Sequence, residues 1–276
     1  MFKVEYICFN IASVCNMICP YCFRTDSKVD VISHIDAQKC IDFLVDNGCK
    51  TINITGGEPL CNPDWEDIVY YSKKKGLQVV LSTNGLLLDM DNSILDYVDV
   101  LTIPLDGDKE EINSLTRGKG HFEKVKSIIE EYTQNNYVFK LKINTVITKY
   151  NMDNLFQIYD LINRKNVIWK LFQYRSKGKN NEFPLNQVLT NCEIKELIKS
   201  INLDNAKAQI VYLDNDEDRM FDFSDNNHHI LLNPAGDIIC SYPDYDLYLF
   251  NVLSLQDYSE DDVYNILNNP SWRKYL

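Results

Sequence analysis

The sequence predicts an α/β fold, a partial (β/α)6 barrel of the TIM type followed by a C-terminal α+β extension. Over the first 175 of 276 residues, short apolar strand-like segments alternate with segments of helical periodicity. This alternation favours a parallel sheet, because two parallel strands need a connection long enough to hold a helix. Ligands of such a barrel bind where the strands end.

The boundaries of the elements follow from the apolar period and from capping residues. Ser33 and Asp36 suit the start of the first helix and Gly48 suits its end. Six strands are predicted, at 6–11, 51–55, 78–82, 100–104, 137–147 and 167–174. Six helices are predicted, at 35–47, 64–75, 93–97, 109–115, 122–135 and 155–163.

The C-terminal part of the chain lacks this regular alternation. Its predicted elements are loops at 176–184 and 213–227, helices at 192–202 and 262–268, a strand at 208–212 and a hairpin at 229–242. No repeat or low-complexity linker separates it from the rest. We therefore predict a core barrel at 1–175 and an extension at 176–276 that closes the barrel and contributes to substrate binding.

Composition excludes several classes of protein. A formal net charge of −12 argues against sequence-independent binding to nucleic acid, which needs a basic surface. There is no apolar run long enough to span a membrane. Nine cysteines form an odd number without a disulfide framework, which favours a reducing compartment. We expect a cytoplasmic protein with neither membrane nor nucleic-acid partners.

The strongest functional signal is the spacing CxxxCxxC formed by Cys15, Cys19 and Cys22. Three thiolates on one short loop predict a [4Fe–4S] cluster with one open iron, because clusters that only carry electrons normally have four cysteine ligands. A zinc-binding interaction module is the alternative from another class, although zinc sites usually pair CxxC elements or include histidine. The adjacent His228 and His229 would point apart on a strand, so they do not predict a metal site.

Three further polar motifs follow predicted elements of the barrel. Thr-Gly-Gly-Glu-Pro at 55–59 ends the second strand, and its glycines permit a close approach of the backbone to a ligand. Ser-Thr-Asn-Gly at 82–85 ends the third strand and suits the polar edges of a ribose or a methionine. Arg117 begins the segment Arg-Gly-Lys-Gly at 117–120, and taken by itself it is an ordinary loop arginine.

The fifth predicted strand suggests an anionic substrate. Strand alternation places Lys140, Lys142 and Asn144 on the face opposite the apolar residues, which is the face that lines the barrel. Lys170 on the sixth strand shares that face with Phe172 and Tyr174. Buried lysines are costly unless an anion meets them. A lysine can also reach water from a strand end, which is the structural alternative.

Taken together, the cysteine spacing and the Gly-Gly-Glu-Pro element resemble the signature of the radical S-adenosylmethionine (SAM) enzymes. The resemblance implies a [4Fe–4S] cluster held by Cys15, Cys19 and Cys22, whose open iron chelates the methionine end of SAM. It implies that Arg117 pairs with the SAM carboxylate and that 56–59 bonds the SAM amino group. The implied SAM-binding residues are Tyr21, Gly56, Gly57, Glu58, Ser82, Asn84 and Arg117.

Within that superfamily, the segments 117–120, 142–147 and 169–173 resemble viperin, the antiviral nucleotide dehydratase, and its prokaryotic relatives. The resemblance runs from about residue 6 to residue 176. It implies that Lys140, Lys142, Asn144 and Lys170 hold a ribonucleoside triphosphate. A 5′-deoxyadenosyl radical would take the 4′ hydrogen and the 3′ hydroxyl would leave as water, giving a 3′-deoxy-3′,4′-didehydro nucleotide. An external one-electron donor such as flavodoxin or ferredoxin is implied.

Two positions depart from the viperin pattern. Ile168 stands where that pattern has an arginine, and Thr51 stands where it has a lysine, with Lys50 one residue away on the opposite face of the strand. The loss of two cations leaves two alternatives open within the same chemistry, a different anionic small molecule or a peptide. Peptide-modifying members often carry extra clusters in a cysteine-rich C-terminal part, where this chain has only Cys192 and Cys240. No residue is assigned as the proton donor to the leaving hydroxyl.

Overall fold

A computed structural model describes residues 4–22, 27–164, 166–174, 183–200, 207–213, 229–241 and 246–268. Its ten strands form one sheet. They are β1 (Tyr6–Ala12), β2 (Thr51–Gly56), β3 (Gln78–Ser82), β4 (Val100–Pro104), β5 (Lys140–Ile147), β6 (Val167–Gln173), β7 (Gln209–Leu213), β8 (His229–Leu232), β9 (Asp237–Ser241) and β10 (Asp246–Asn251). The helices are α1 (His34–Asp46), α2 (Trp65–Lys74), α3 (Glu110–Arg117), α4 (His121–Gln134), α5 (Leu155–Ile162), α6 (Asn191–Ser200) and α7 (Glu260–Leu267).

The strand order in the sheet is β10-β9-β8-β1-β2-β3-β4-β5-β6-β7. The six strands of the predicted barrel are parallel neighbours in chain order, so the predicted α/β class is confirmed. The C-terminal part adds strands to both edges. β7 pairs in parallel with β6, and β8 pairs in parallel with β1 before β9 and β10 continue antiparallel. Closure of the barrel by this part stays a prediction.

Alternation along the strands separates a helix-covered face from a lumen. On β1, Ile7, Phe9 and Ile11 are fully buried in the main hydrophobic core, while Tyr6 and Cys8 lie on the other face. β5 follows the same rule, with Leu141 fully buried outward. Burial of these apolar side chains contributes about 1.5–3 kcal/mol each. This core fixes the positions at which the strands end, and therefore the site.

Differences from the predicted elements are local. The fifth strand begins at Lys140 rather than at 137, and at its start the Tyr132 hydroxyl donates to the Phe139 carbonyl and accepts from the Leu141 amide. The predicted helix at 93–97 is a single 3-10 turn. Leu213, the first residue of the predicted acidic loop at 213–227, is instead the last residue of β7, and the rest of that loop and most of the loop at 176–184 lie outside the described residues. The described helices include none that is long and apolar enough to cross a membrane.

Candidate cofactor and substrate site

The predicted cluster cysteines lie in one loop directly after β1. The backbone N–H of Cys22 donates to the Cys19 carbonyl at 3.2 Å, which closes a turn over residues 19–22. Burial raises the pKa of Cys15, and the nearby thiols of Cys19 and Cys22 add to that shift. The three thiols are therefore electrostatic neighbours. In the described part of the chain, no three Cys, His, Asp or Glu side chains are close enough to hold a metal as they stand.

The end of β2 clasps the segment that leads into this loop. Gly57 donates its amide to the Ala12 carbonyl at 2.6 Å, and Glu58 donates to the Val14 carbonyl at 2.8 Å. A Cβ on Gly57 would lie 2.3 Å from the Val14 oxygen, which is far inside van der Waals contact. The close approach that these glycines permit is thus to the chain's own backbone, and it positions the cysteine loop.

Glu58 is fully buried and braces β2 against the end of β3. Its carboxylate accepts from the Thr83 hydroxyl at 2.6 Å, the Asn84 amide at 2.7 Å and the Leu60 amide at 3.1 Å. Burial raises the pKa of Glu58, while these three hydrogen bonds oppose that shift. Both carboxylate oxygens are already engaged inside the protein.

The structure separates the two predicted side chains at the end of β3. Asn84 faces the cysteine loop, since its Nδ2 lies 2.6 Å from Asn16 Oδ1 and 3.9 Å from Cys15 Sγ. Ser82 instead donates to Asn53 Oδ1 at 2.7 Å, on the lumen side of β2. Asn84 therefore meets the predicted cluster ligands and Ser82 does not.

Asp106, which was not among the predicted site residues, organises the opposite side of the loop. Its buried carboxylate accepts from the Tyr21 hydroxyl, from Arg117 Nε and, at 2.8 Å, from the Val146 amide. The Arg117 guanidinium also lies 5.1 Å from the centre of the Tyr21 ring, and its Nη1 lies 3.9 Å from Cys19 Sγ. The sequence feature that could have identified Asp106 is its place just after β4, one helix before Arg117.

The charges of Arg117 and Asp106 compensate each other in this buried setting. Burial disfavours the charged guanidinium, but the neighbouring Asp106, Tyr21 and Cys19 together outweigh burial and raise the pKa of Arg117 above its usual value. The predicted contact of Arg117 with a SAM carboxylate is a bidentate one. Since Nε already donates to Asp106, such a contact would have to use the terminal nitrogens, of which Nη1 lies beside Cys19.

Comparison with known proteins decides the family. Residues 9–162 match the family described as the Radical SAM superfamily. The chain belongs to the radical SAM superfamily. It is therefore a radical SAM enzyme, and the cofactors of this family are a [4Fe–4S] cluster and SAM. The residues present fit them, because three thiols share one loop and nitrogen donors of Asn84 and Arg117 lie beside two of their sulfur atoms.

Relatives of this radical SAM enzyme differ in their reactions. Mycofactocin maturase MftC of Mycolicibacterium smegmatis is 30% identical over 62% of this chain, which spans only 45% of that protein. GTP 3′,8-cyclase of Campylobacter fetus is 27% identical over 72% of this chain and 67% of its own length. An S-adenosylmethionine-dependent nucleotide dehydratase of Flammeovirga pacifica is 24% identical over 83% of this chain and 79% of its own length.

Solved structures with the same fold confirm the predicted radical SAM architecture. Streptococcus suis SuiB bound to S-adenosylmethionine superimposes with a TM-score of 0.75 at 14% identity, covering 98% of this chain and 67% of SuiB. The enzyme anSMEcpe with bound AdoMet and a peptide gives a TM-score of 0.70 at 16% identity, over 98% of this chain and 82% of that one. At these identities the likeness shows the fold.

Below the strand ends that carry the cysteine loop, here called the cofactor edge, the lumen holds the half-buried Lys142 and the buried Lys170. Lys170 on β6 is 6% exposed, and burial together with the charge of Lys142 lowers its pKa to about 7. Burial also lowers the pKa of Lys142 on β5. Cys8 on β1 lies near both, since each lysine lowers the pKa of its thiol against the effect of burial. Two like charges thus share one low-dielectric space.

Polar atoms without partners lie beside these lysines. Asn144 pairs in register with Lys170, and Thr102 pairs in register with Lys142. The Oδ1 atom of Asn144 and the Oγ1 atom of Thr102 are buried with no hydrogen-bond partner among the described residues. Thr102 was not predicted as a site residue. Lys140, which was, is exposed at the first residue of β5 and stands apart from the buried pair.

Proposed function

We propose that this radical SAM enzyme is a nucleotide dehydratase acting on a ribonucleoside triphosphate. The observation that carries the proposal is the pair formed by the half-buried Lys142 and the buried Lys170, both with lowered pKa, in a chain of net charge −12. Holding two desolvated cations together is unfavourable in the free enzyme. A polyanionic substrate removes that cost on binding, so the lumen is suited to a phosphate-bearing ligand.

Each side of the site has a distinct task in this proposal. Cys15, Cys19 and Cys22 hold the cluster, and Asn84 with Arg117 orients SAM against it. When bound, these cofactors supply a carbon-centred radical that removes a hydrogen atom from the substrate. Lys142 and Lys170 hold the phosphates, and Asn144 accepts a hydrogen bond from a donor on the substrate. The sheet and its helices exclude water and competing hydrogen donors from the lumen.

The reaction balances with two external electrons, one consumed when SAM is cleaved and one taken up by the substrate. The substrate loses a hydrogen atom from its 4′ carbon, and its 3′ hydroxyl departs with a proton as water. One electron from an external donor then completes the 3′,4′ double bond of the 3′-deoxy-3′,4′-didehydro product. Radical SAM enzymes act with such external donors, and flavodoxin or ferredoxin is proposed here. Antiviral defence through a chain-terminating nucleotide is the proposed role.

Two relatives support a nucleotide as the substrate class. The nucleotide dehydratase matches this chain over 83% of its residues, and the GTP cyclase over 72%. The names of both relatives refer to nucleotides. Their identities are 24% and 27%, so the class of substrate is supported more strongly than the particular reaction.

The anion site is smaller than in the viperin pattern. Lys50 does not replace the missing lysine at Thr51, because its Nζ forms a surface ion pair with Glu5 at 2.7 Å and its side chain is 69% exposed. Ile168 lies in register with Lys142 and adds no charge. Two lysines in place of four cations predict weaker phosphate binding than the family pattern would give.

A peptide is the second candidate substrate. Its support is the 30% identity to a mycofactocin maturase and the likeness to SuiB, which was also solved bound to the precursor peptide SuiA. Against it, the part of this chain beyond Cys61 holds only two cysteines, too few for a further cluster. The buried lysine pair also has no evident use in binding a neutral peptide backbone.

The deciding experiment measures 5′-deoxyadenosine formed by the reconstituted, reduced enzyme with SAM and each ribonucleoside triphosphate. One nucleotide should raise it well above the uncoupled background and yield a product lighter by one water. If none does so, the dehydratase proposal fails while the radical SAM assignment stands.

A charge-matched pair of variants tests the lysine site in the same assay. Lys170→Met should raise KM for the nucleotide by about tenfold or more, since a buried charge-assisted contact is lost. Lys50→Met removes an exposed lysine from its surface ion pair and should leave KM unchanged. Equal effects of the two variants would place the nucleotide elsewhere.

A further inference from the structure

A buried histidine joins the two walls of the cofactor site. His121, the first residue of α4, is fully buried and belongs to none of the predicted motifs. Its Nε2 lies 3.0 Å from the Asn84 carbonyl oxygen, on the wall that meets Cys15. Its Nδ1 lies 2.9 Å from Asn113 Nδ2, on the wall that holds Asp106. The imidazole therefore spans the gap between the ends of β3 and β4.

The hydrogen bonds fix which nitrogen of the ring carries the proton. Asn113 Oδ1 accepts from the Asp106 amide at 3.0 Å, so the amide group of Asn113 must turn its NH2 toward the ring. An amide nitrogen only donates, which makes Nδ1 of His121 the acceptor. The Asn84 carbonyl only accepts, which makes Nε2 the donor. Both requirements are met by one neutral tautomer and by no other form.

The resulting chain of hydrogen bonds is continuous from Glu58 to Arg117. Glu58 accepts from the backbone N–H of Asn84, and the backbone carbonyl of Asn84 accepts from His121. Asn113 then connects His121 to the Asp106 backbone, and the Asp106 carboxylate holds Arg117. Each end of this chain places a nitrogen donor 3.9 Å from a predicted cluster ligand, Cys15 at one end and Cys19 at the other.

We propose that His121 is a positioning residue that sets the spacing between Asn84 and Arg117 and thereby the affinity for SAM. Packing alone would not select histidine, since an apolar ring fills the same volume without requiring a donor and an acceptor on opposite sides. Burial, with a smaller contribution from the charge of Arg117, lowers the pKa of His121 to about 4, which keeps the bridging tautomer at neutral pH. The proposal rests on the proposed SAM site but not on the identity of the substrate.

Variants of His121 test its hydrogen bonds to Asn84 and to Asn113 separately. His121→Gln keeps a donor for the Asn84 carbonyl, His121→Asn keeps an acceptor for Asn113, and His121→Phe keeps neither. Ser72→Ala is the matched control, because Ser72 is equally buried but its hydroxyl bonds the Ile68 carbonyl in α2, away from the site. Each variant is reconstituted as the full chain, and iron content, thermal stability and the dissociation constant for SAM are measured.

We expect His121→Phe to weaken SAM binding by about tenfold or more at unchanged iron content, with Gln and Asn intermediate. KM for SAM should rise while kcat of uncoupled SAM cleavage stays within about twofold. Ser72→Ala should lower thermal stability without changing SAM affinity. A fall in kcat without a rise in KM would overturn the proposal. So would SAM affinities within about twofold of wild type in Gln and Asn, which remain informative if the Phe variant does not fold.

Nitrogen NMR of the labelled full chain tests the tautomer without activity. At pH 7 the His121 ring should be neutral and protonated at Nε2, and protonation at Nδ1 or at both nitrogens would contradict the bridge. Asn84→Ala and Arg117→Lys distinguish this failure from that of the site. If they also leave SAM affinity unchanged, the proposed SAM site is wrong, whereas if only the His121 variants do so, this proposal alone is wrong.

Discussion

The cofactor edge and the lumen beneath it treat polar groups in opposite ways. At the edge, Glu58 has both oxygens bonded, and the charge of Arg117 is compensated by Asp106. In the lumen, burial and the charge of Lys142 lower the pKa of Lys170, and Thr102 and Asn144 have buried oxygen atoms without partners among the described residues. Hydrogen-bonded groups make the edge rigid, whereas the buried oxygen atoms of Thr102 and Asn144 carry a free-energy cost that a ligand can relieve. The edge is thus preformed, and the lumen is prepared for an occupant.

The strongest challenge to the preformed edge is Asp106→Asn. The change leaves Arg117 as an uncompensated buried charge, which typically costs about 3–5 kcal/mol. Urea unfolding should show this loss, and SAM-dependent cleavage should fall with it. Asp36→Asn is the control, because Asp36 pairs with Lys39 at the surface and should cost less than about 1 kcal/mol. Similar losses of unfolding free energy in the two variants would mean that the buried pair of Asp106 and Arg117 contributes no more than a surface ion pair.

Gly57→Ala tests whether the clasp on the cysteine loop is needed. The added Cβ would lie 2.3 Å from the Val14 oxygen, so the loop must move. We expect iron content after reconstitution to fall to less than half of the wild-type value. Gly76→Ala is the control: Gly76 has a φ of +82°, so the alanine strains the local backbone, but nothing lies within 4 Å of its Cβ and iron content should be unchanged. Normal iron content in Gly57→Ala would show that the clasp is dispensable.

Lys170→Met tests how much the buried Lys170 amine lowers the free energy of unfolding. The free enzyme should become more stable by roughly 1–3 kcal/mol, since a desolvated cation is removed. The pH dependence has a definite sign. In the folded protein the pKa of Lys170 is lowered to about 7. Between about pH 7 and the ordinary lysine pKa, the unfolded chain therefore binds more protons than the folded one. The free energy of unfolding of the wild-type protein should thus rise with pH across that window.

That rise in stability should be reduced in Lys170→Met. Denaturant unfolding of both proteins at pH 7 and pH 9, without substrate, checks the size of the slope. An identical slope in the two proteins would mean that Lys170 already has its charge compensated within the fold.

The smallest expected effect comes from a matched pair of threonines. Thr102→Val removes a buried hydroxyl that lacks a partner and should raise stability by about 1 kcal/mol. Thr145→Val removes a hydroxyl that donates to the Leu105 carbonyl at 2.6 Å and accepts from Trp169 at 2.9 Å, and should lower stability by about 1–3 kcal/mol. Thermal unfolding compares them. Shifts of the same sign would contradict the contrast drawn between the two regions.

Sequence reasoning identified what depends on local pattern. The parallel strands follow from apolar alternation, and the cysteine loop follows from its spacing. The lumen position of Lys142 follows from strand period, because Leu141 and Ile143 must face the helices. The exposure of Lys140 was not foreseen, since the strand begins there and not at 137.

What sequence reasoning missed depends on contacts between distant segments. Asp106 and Tyr21 are 85 residues apart and meet only because β4 ends beside the cysteine loop. Ser82 and Asn84 are two residues apart, yet the end of the strand turns one toward Asn53 and the other toward Cys15. β10 was not predicted, because its pairing with β9 depends on where the hairpin lies in the sheet.

The clasp between β2 and the cysteine loop also bears on how the enzyme matures. The thiols at 15–22 leave the ribosome well before the glycines at 56 and 57 that hold their loop in place. The loop acquires its shape only once β1 and β2 have paired, a contact that spans more than forty residues of chain. We therefore expect cluster insertion to follow the pairing of β1 with β2, since a shorter nascent chain would have the three thiols without the backbone contacts that hold their loop.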